Sequence, residues 1–300
     1  MSLSALYDVA APAKLNLFLH VVGRRPDGYH LLQSAFALID WCDTLHFERR
    51  ADGRIARHDL SAPLPADDLC LRAARALQDA SGTRLGADIS IDKQVPWGAG
   101  MGGGSSDAAT CLLALNRLWQ LDWPLDRLLA LGLTLGADVP FFLGGGNAWV
   151  EGIGERLTPI ELPPQRWAVV KPPSSLETRA IFSSPLLARH HEAVIVAGFL
   201  AEGGIQKLIE GFGCNVLQPP AEQECPEVAQ AARLLEARFG NSRMTGSGSA
   251  VFARVGDLIE TSAQREVSMP VDLPPGWIGR MCHGLARHPL SGWCRVEDKV

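Results

Sequence analysis

The sequence predicts a soluble protein of mixed helices and strands, and three observations support this. The chain has 300 residues, enough to bury a full core as one large domain or as two of ordinary size. Hydrophobic residues make up 47% of it and charged residues 20%, which is typical of soluble globular proteins. Segments in which apolar and polar residues alternate, as in strands, are interspersed with segments of helical spacing.

Alternation predicts the positions of the strands. In the first half of the chain they fall at residues 13–22, 29–39, 44–48, 87–93 and 148–151. The Pro-Asp-Gly stretch at residues 26–28 predicts a turn before the second strand, and residues 40–43 are interpreted as a turn before the third. Later strands are expected at residues 166–170 and 277–287, and one follows a Gly/Ser-rich loop within residues 243–253.

Helical spacing predicts helices at residues 69–80, 108–119 and 125–135, the last of them ended by Gly136. In the second half, a helix begins near Thr178, and residues 192–239 are mostly helical with an interruption at 211–215. A further helix is expected at residues 256–267. The Pro-rich segment at residues 159–164 marks the predicted end of a first domain.

A glycine-rich loop at residues 95–107 joins a predicted strand to a predicted helix. It carries five glycines within seven positions, so backbone N–H groups can surround a ligand closely. Ser105, Ser106 and Asp107 are natural N-cap residues, so the loop is expected to end at a helix N-terminus. Unpaired donors and the positive end of the helix dipole favour an anion there, such as a phosphate.

Two well-known phosphate-binding loops can be compared with this glycine-rich loop. The P-loop is excluded, because it needs Lys followed by Ser or Thr after its glycines, whereas Gly104-Ser105-Ser106 stands here. The spacing of Gly98, Gly100 and Gly103 satisfies the dinucleotide-binding pattern, although no acidic residue follows at the end of a well-marked second strand. A nicotinamide or flavin site is kept as the alternative, and a flexible surface turn is the less favoured interpretation.

Polar residues beside apolar ones suggest further candidates. Lys14 and Asn16 project from one face of the first strand, roughly 7 Å apart, and the pattern alone favours an exposed lysine. Asp138 stands between Ala137 and Val139, with a proline next, so it is interpreted either as a backbone-bonded aspartate or as a catalytic base. Neither interpretation is preferred.

Two further features bear on a ligand site. Tyr29 and His30, just after the predicted turn, could stack on and hydrogen-bond a planar ligand, although such a pair more often starts a half-buried strand. The second Gly/Ser-rich loop, within residues 243–253, suggests that both loops line one cleft.

Composition and spacing argue against several partners. A net charge of −5 argues against nucleic acid, and no apolar run is long enough to span a bilayer. The first residues do not resemble a signal peptide, so a cytoplasmic protein without a membrane partner is expected. Seven scattered cysteines without a C-x-x-C pair predict reduced thiols. His190-His191 has no acidic or cysteine partner at metal-ligand spacing and is interpreted as a solvated helix end, and Lys93 is interpreted as a solvated lysine at a strand end.

Three stretches together resemble the motifs of the GHMP kinases. They are the Pro-x-Lys strand at residues 12–16, the glycine-rich loop at residues 96–106 and the Gly-rich turn at residues 245–248. Stretches at residues 27–30 and 133–140 make the chain most similar to family members that act on a cytidine-diphosphate-linked alcohol.

The resemblance implies an α+β, two-domain GHMP kinase fold. An N-terminal domain of the ribosomal S5 domain 2-like type would cover residues 1–162, and a ferredoxin-like C-terminal domain residues 163–300, with the active site between them. The implied reaction is phosphorylation of the 2-hydroxyl of 4-diphosphocytidyl-2-C-methyl-D-erythritol in the non-mevalonate isoprenoid pathway, with ATP and Mg²⁺. The expected assembly is a monomer or a homodimer.

The resemblance also implies roles for single residues. Asp138 would be the general base on the hydroxyl, and Lys14 would lower the pKa of that hydroxyl and steady charge. The cytidine and its diphosphate-linked alcohol would be held by Asn16, Tyr29, His30, Thr178 and Phe182. The ATP phosphates would lie against Pro96, Trp97, Gly98, Ala99, Gly100, Met101, Gly102, Gly103, Gly104, Ser105 and Ser106.

Three hypotheses therefore stand at this point: a kinase of the cytidyl alcohol, a GHMP kinase of another alcohol or phosphorylated metabolite, and a dinucleotide-binding protein that is not a kinase. Tyr29 and His30 distinguish the first two, because recognition of cytosine needs a stacking and hydrogen-bonding pair. The third predicts a nicotinamide or flavin spectrum.

Overall fold

The computed structural model describes residues 3–255, 269 and 272–295. The strands within these residues are β1 Ala5–Arg24, β2 His30–Arg50, β3 Ile55–Asp59, β4 Gly86–Asp92, β5 Ala148–Gly152, β6 Arg156–Pro159, β7 Arg166–Lys171, β8 Arg243–Met244, β9 Val251–Val255 and β10 Ile278–Leu285. The helices are α1 Leu69–Ser81, α2 Gly103–Leu118, α3 Leu125–Leu135, α4 Val139–Gly144, α5 Thr178–Ser183, α6 Val196–Ala201, α7 Gly204–Ile209, α8 Gln218–Glu224 and α9 Pro226–Phe239. The helix predicted at residues 256–267 lies outside the described residues.

The long strand β2 connects the parts of the sheet. It pairs antiparallel with β1 along its length. On its other side it pairs first with β5, then with β10 and finally with β4. From β10 the sheet continues through β7 and β9 to β8, while β3 runs parallel to β4. This mixture of helices and strands agrees with the predicted α+β class. The boundary after residue 162 stays a prediction.

β2 runs straight through the predicted turn at residues 40–43, so that prediction is wrong. The strand absorbs two extra residues there, since Pro12 of β1 faces Cys42 while Ala13 faces Ile39. Such a bulge bends a strand without ending it. The polar groups that suggested a turn have partners instead: Asp43 is fully buried and accepts the backbone N–H groups of residues 94 and 95.

A second register shift, in β1 between Asn16 and Phe18, changes which side chains share a face. Leu19, rather than Phe18 or His20, lines the same cleft as Lys14 and Asn16. His20 is instead buried against other parts of the chain. The strand β1 therefore directs Lys14 and Asn16 into the cleft and His20 away from it.

The helix α2 begins earlier than the sequence predicted. Gly102, with φ of 72°, is its N-cap, and no side chain caps it. The prediction that Ser105, Ser106 and Asp107 are N-cap residues is therefore wrong, because the left-handed Gly102 starts the helix before them. Helices α1 and α3 agree with their predicted ranges to within a residue. No helix in the described part of the chain is long and apolar enough to cross a membrane.

Candidate active site

Two glycine-rich loops lie in direct backbone contact. The N–H groups of Ser249 and Ala250 donate to the carbonyl oxygens of Gly98 (3.1 Å) and Ala99 (3.2 Å). A Cβ on Gly100 would lie 2.2 Å from the carbonyl oxygen of Thr245 and so could not be accommodated. Both loops line one cleft of about 1100 Å³, which confirms the expectation from the sequence.

Lys14 lies at the bottom of this cleft and is only 3% exposed. Its backbone N–H donates to the carbonyl oxygen of Met101 (3.0 Å), which joins β1 to the glycine-rich loop. The ammonium group donates to Asn16 Oδ1 and lies 4.3 Å from the centre of the Phe36 ring. The interpretation of Lys14 as an exposed lysine is therefore wrong.

The Lys14 ammonium also lies 3.7 Å from Asp138 Oδ2. Burial lowers the pKa of Lys14, and the nearby carboxylate of Asp138 acts in the opposite direction. A lysine in these surroundings holds its proton less tightly than one in water. Lys14 and Asp138 are thus a paired cation and anion that face a cleft.

Asp138 precedes the short helix α4 and has backbone angles close to helical. Its carboxylate makes no capping hydrogen bond to that helix, and its side chain is 34% exposed. The geometry does not support the interpretation of Asp138 as a backbone-bonded aspartate. Its carboxylate is instead accessible to a molecule in the cleft.

His30 and Phe182 form an aromatic pair elsewhere in the cleft. Their ring centres are 5.3 Å apart, with planes inclined by 27°. His30 Nε2 is buried and has no hydrogen-bond partner among the described residues. Burial, together with Arg189 and Arg24, lowers the pKa of His30, which keeps the ring neutral at pH 7. A neutral imidazole with a free buried nitrogen is suited to hydrogen bonding with a ligand.

The other predicted substrate residues also line this cleft. Tyr29 is 60% exposed. The Thr178 hydroxyl lies 2.8 Å from the Ser247 hydroxyl, which connects the start of α5 to the second glycine-rich loop. Asn16 donates its backbone N–H to Thr245 Oγ1 (2.9 Å) and its side-chain amide to Ser34 Oγ (3.0 Å).

Sequence reasoning missed three arginines that line the cleft: Arg24, Arg179 and Arg189. Arg24 lies two residues before the turn at residues 26–28, which could have indicated it. The other two come from residues 178–190, where neither periodicity nor a motif marked them. Ser34 and Ser247 were also missed, although Ser247 belongs to the second loop that the sequence singled out.

The predicted phosphate loop divides into two kinds of residue. Gly98, Gly100 and Gly102 line the cleft, while the side chains of Ala99 and Met101 are buried in the core. Trp97 is 63% exposed. Gly103, Gly104, Ser105 and Ser106 are the first four residues of α2, and Pro96 precedes the glycines in the chain. The Ser106 hydroxyl is buried and has no partner within the described residues.

Lys93 is not solvated, contrary to the interpretation from the sequence, and it binds acidic side chains beside the glycine-rich loop at residues 95–107. Its ammonium bonds to the carboxylates of Asp43 and Asp107, the latter at 2.6 Å. Burial opposes the charge on Lys93, but Asp107 and Asp43 outweigh it and raise its pKa. Burial raises the pKa of Asp107 to about 8, against the attraction of Lys93.

Family comparison agrees with this geometry. The family model of the GHMP kinases N terminal domain matches residues 68–146, and that of the GHMP kinases C terminal domain matches residues 199–267. With full-length relatives of high identity, described next, this shows that the chain belongs to the GHMP kinase family.

The chain is 66% identical to a 4-diphosphocytidyl-2-C-methyl-D-erythritol kinase of Methylibium petroleiphilum over 98% of this chain and 99% of that protein. A crystal structure of 4-(cytidine 5'-diphospho)-2C-methyl-D-erythritol kinase superposes with a TM-score of 0.70 and 37% identity, covering 83% of this chain and 89% of that one. Homoserine kinase from Cytophaga hutchinsonii, 17% identical, has the same fold, with a TM-score of 0.62 and coverage of 84% and 85%.

The contact between the two loops predicts different effects of alanine at two glycines. Gly100→Ala should destabilise the fold by at least about 1–2 kcal/mol, because a left-handed residue gains a Cβ and that Cβ meets backbone. Gly104→Ala is the matched control, since its Cβ meets only a side-chain atom of Leu69 at 3.8 Å. Urea unfolding measures both. Equal stability of the two variants would contradict the close contact.

The buried carboxylate of Asp107 predicts a pH dependence of stability. A group whose pKa is raised by folding stabilises the fold at low pH and loses this effect as the pH rises through the folded value. The contribution of Asp107 to the free energy of unfolding should therefore fall between about pH 5 and 8, whereas His20 and His288, whose pKa values burial lowers to about 4, act in the opposite direction below about pH 6.5. Asp107→Asn should remove the falling contribution and make the slope of the unfolding free energy against pH more positive by up to about 1.4 kcal/mol per pH unit.

Urea unfolding at several pH values measures this slope. Asp92→Asn is the control, because that carboxylate lies at the end of β4 and accepts from the exposed Gln94 amide. A profile for Asp107→Asn that parallels the wild type would show that Asp107 ionises normally.

Proposed function

We propose that this chain transfers the γ-phosphoryl group of ATP to the 2-hydroxyl of 4-diphosphocytidyl-2-C-methyl-D-erythritol, in the non-mevalonate isoprenoid pathway. The observation that carries the proposal is the Lys14–Asp138 pair, 3.7 Å apart, in one cleft with two glycine-rich loops and an aromatic pair. Curated relatives of full length, at 66% and 58% identity, bear the name of that kinase.

The ATP phosphates are proposed to lie against the loop at residues 96–106 and the N-terminus of α2. Free backbone N–H groups and the helix dipole attract phosphate oxygens at such a place. Gly98, Gly100 and Gly102 allow close approach, since all three have positive φ and line the cleft. Phosphoryl transfer needs mainly this kind of positioning and charge neutralisation.

Mg²⁺ is proposed to accompany ATP. The hydroxyl of Ser106, in the first turn of α2, is buried and has no partner in the described part of the chain. It fits this ion, which prefers oxygen ligands and takes several of them from substrate phosphates. Bound there, the ion would neutralise charge on the transferring phosphoryl group.

Asp138 is proposed to accept the proton of the 2-hydroxyl as the new O–P bond forms. Its carboxylate faces the cleft and makes no capping bond, so it is free for this proton. Lys14 would stabilise the developing negative charge on the hydroxyl oxygen, because its ammonium is held in a buried place where electrostatic attraction is strong. Asn16 keeps that ammonium in position.

The cytidine is proposed to bind at His30 and Phe182, with Tyr29 beside them. His30 Nε2 is buried and unpartnered among the described residues, so it can hydrogen-bond to an edge of the base. Asn16 and Thr178 would contact the alcohol and its diphosphate, and the three arginines that line the cleft would neutralise the diphosphate.

A cytoplasmic location, a monomer or homodimer, and the lack of a nucleic-acid partner stay predictions. The net charge of −5 supports the last of these, since the positive charge of the cleft is local.

ADP release tests the substrate. The purified chain, ATP and Mg²⁺ are incubated with 4-diphosphocytidyl-2-C-methyl-D-erythritol, mevalonate, homoserine or galactose in turn. Turnover with the cytidyl alcohol alone is the expected result. Turnover with another alcohol instead would keep the kinase and contradict the roles of Tyr29 and His30.

Asp138→Asn should reduce turnover by roughly 10²–10⁴-fold, because the amide cannot accept the proton. ATP affinity should stay close to the wild-type value, since Asp138 is not assigned to the phosphate loop. Steady-state turnover and ATP binding measure the two effects, with Asp126→Asn, an exposed carboxylate in the first turn of α3, as control. Unchanged turnover in Asp138→Asn would rule out the base.

A further inference from the structure

Outside the cleft, His20, His191 and Cys214 come together from three distant parts of the sequence. One ligand atom of each lies within 4.8 Å of the other two, and no second group of this kind occurs among the described residues. The sequence interpretation of His191 as a solvated residue without a cysteine partner is therefore wrong. Cys214 is exposed, His191 is partly exposed and His20 is buried, so the cluster is open to solvent on one side.

The backbone holds these three residues in place. Leu19 N–H donates to the carbonyl oxygen of Cys214, and Val216 N–H donates to the carbonyl oxygen of Leu19, both at 2.9 Å. This bridge places Cys214 beside His20. His191 is tied to the same strand, because its N–H donates to the carbonyl oxygen of Val21 (3.0 Å). The cluster is thus assembled on three consecutive positions of β1.

The nitrogen and sulfur atoms of the three side chains face one another. His20 Nε2 accepts the backbone N–H of Cys214 at 3.2 Å, so a neutral His20 carries its proton on Nδ1 and its Nε2 lone pair points toward Cys214. The sulfur of Cys214 lies 3.9 Å from His191 Nε2. The two imidazole rings stack with centres 4.2 Å apart. No carboxylate belongs to this cluster.

We propose that His20, His191 and Cys214 form a binding site for Zn²⁺. Two imidazole nitrogens and one thiolate are ligands that zinc prefers, and a three-residue set leaves a fourth position for water. Tetrahedral zinc would place sulfur and nitrogen roughly 3.5 Å apart, close to the 3.9 Å between Cys214 and His191. The site is separate from the ATP and alcohol sites and does not depend on the proposed function.

Binding is a balanced exchange of ligands and protons. The Cys214 thiol loses its proton to solvent, and bonds form from its sulfur and from one nitrogen each of His20 and His191 to the metal. The Cys214 N–H gives up its acceptor on His20. Water molecules leave the hydrated ion as these three bonds form.

His20 Nε2 accepts a hydrogen bond, so this nitrogen carries no proton and has a lone pair that can bind a metal. Arg243 lies close enough to act electrostatically on both His20 and Cys214. The positive charge of Arg243 also opposes a cation, and the negative charge of the thiolate compensates for it. A dication with a thiolate ligand is therefore favoured over one bound by imidazoles alone.

Cobalt substitution tests the proposal, because Co²⁺ bound to a thiolate absorbs in the near ultraviolet and, when tetrahedral, in the visible. The metal-free full chain is titrated with Co²⁺, and then with Zn²⁺ against a chromophoric chelator. One Co²⁺ per chain with thiolate absorption is the expected result. Cys214→Ser should abolish the thiolate absorption and weaken Zn²⁺ binding by at least roughly 100-fold. His191→Gln should weaken Zn²⁺ binding by a similar factor.

Cys42→Ser is the matched control, since Cys42 is a partly exposed free thiol and belongs to no cluster of metal-ligating side chains among the described residues. It should bind both metals like the wild type. Alkylation with and without Zn²⁺, read by mass spectrometry, should show protection of Cys214 alone. Absence of thiolate absorption in the wild type, or its persistence in Cys214→Ser, would overturn the site, and so would unchanged Zn²⁺ affinity in His191→Gln.

Discussion

The contact between Gly100 and Gly246 is the constraint on which the cleft depends. A Cβ on either residue would lie within 2.5 Å of the backbone of the opposite loop, so both positions require glycine. Hydrogen bonds from Ser249 and Ala250 hold the second loop against the first, and the bond from Lys14 to Met101 joins β1 to the first loop. Because the catalytic lysine candidate shares this network, its position and that of the phosphate loop are set together.

Two buried lysines in this region have opposite surroundings. Lys93 faces two carboxylates, which raise its pKa and fix it as a charged anchor beneath the loop. Lys14 faces one carboxylate at 3.7 Å and an aromatic ring, and burial lowers its pKa. A lysine whose charge is less compensated by the protein has more electrostatic attraction left for a substrate. This difference suits Lys14 to the reacting hydroxyl and Lys93 to a structural role.

Local patterns in the sequence predicted much of the fold and the centre of the site. Periodicity was sufficient for α1 and α3, since their apolar positions face one core and their ends carry clear signals. The two glycine-rich loops could be recognised because glycine is needed wherever backbones approach this closely. The burial of Lys14 could not be recognised from the sequence, because a lysine on an alternating strand has the same pattern whether water or protein covers it.

Apart from the N-cap of α2, the predictions that failed depend on distant contacts. The polar residues at 40–43 resemble a turn, yet Asp43 finds its partners in residues 93–95, about fifty positions away. His191 and Cys214 are 23 positions apart and meet His20 only because both segments bond to β1. Sequence spacing can identify metal ligands that lie on one helix or hairpin. It cannot identify ligands from separate loops that come together beside one strand.

The aromatic pair in the cleft has a consequence for substrate binding. A base held between two rings needs their planes about 7 Å apart, twice a close carbon contact, whereas the centres of His30 and Phe182 are 5.3 Å apart. In the proposed complex, cytosine would stack on the outer face of this pair or separate the rings. Phe182 belongs to α5, whose first residue, Thr178, bonds to Ser247 of the second glycine-rich loop. That loop contacts the predicted phosphate loop directly, so a chain of contacts links the proposed site of the base to the proposed site of the ATP phosphates.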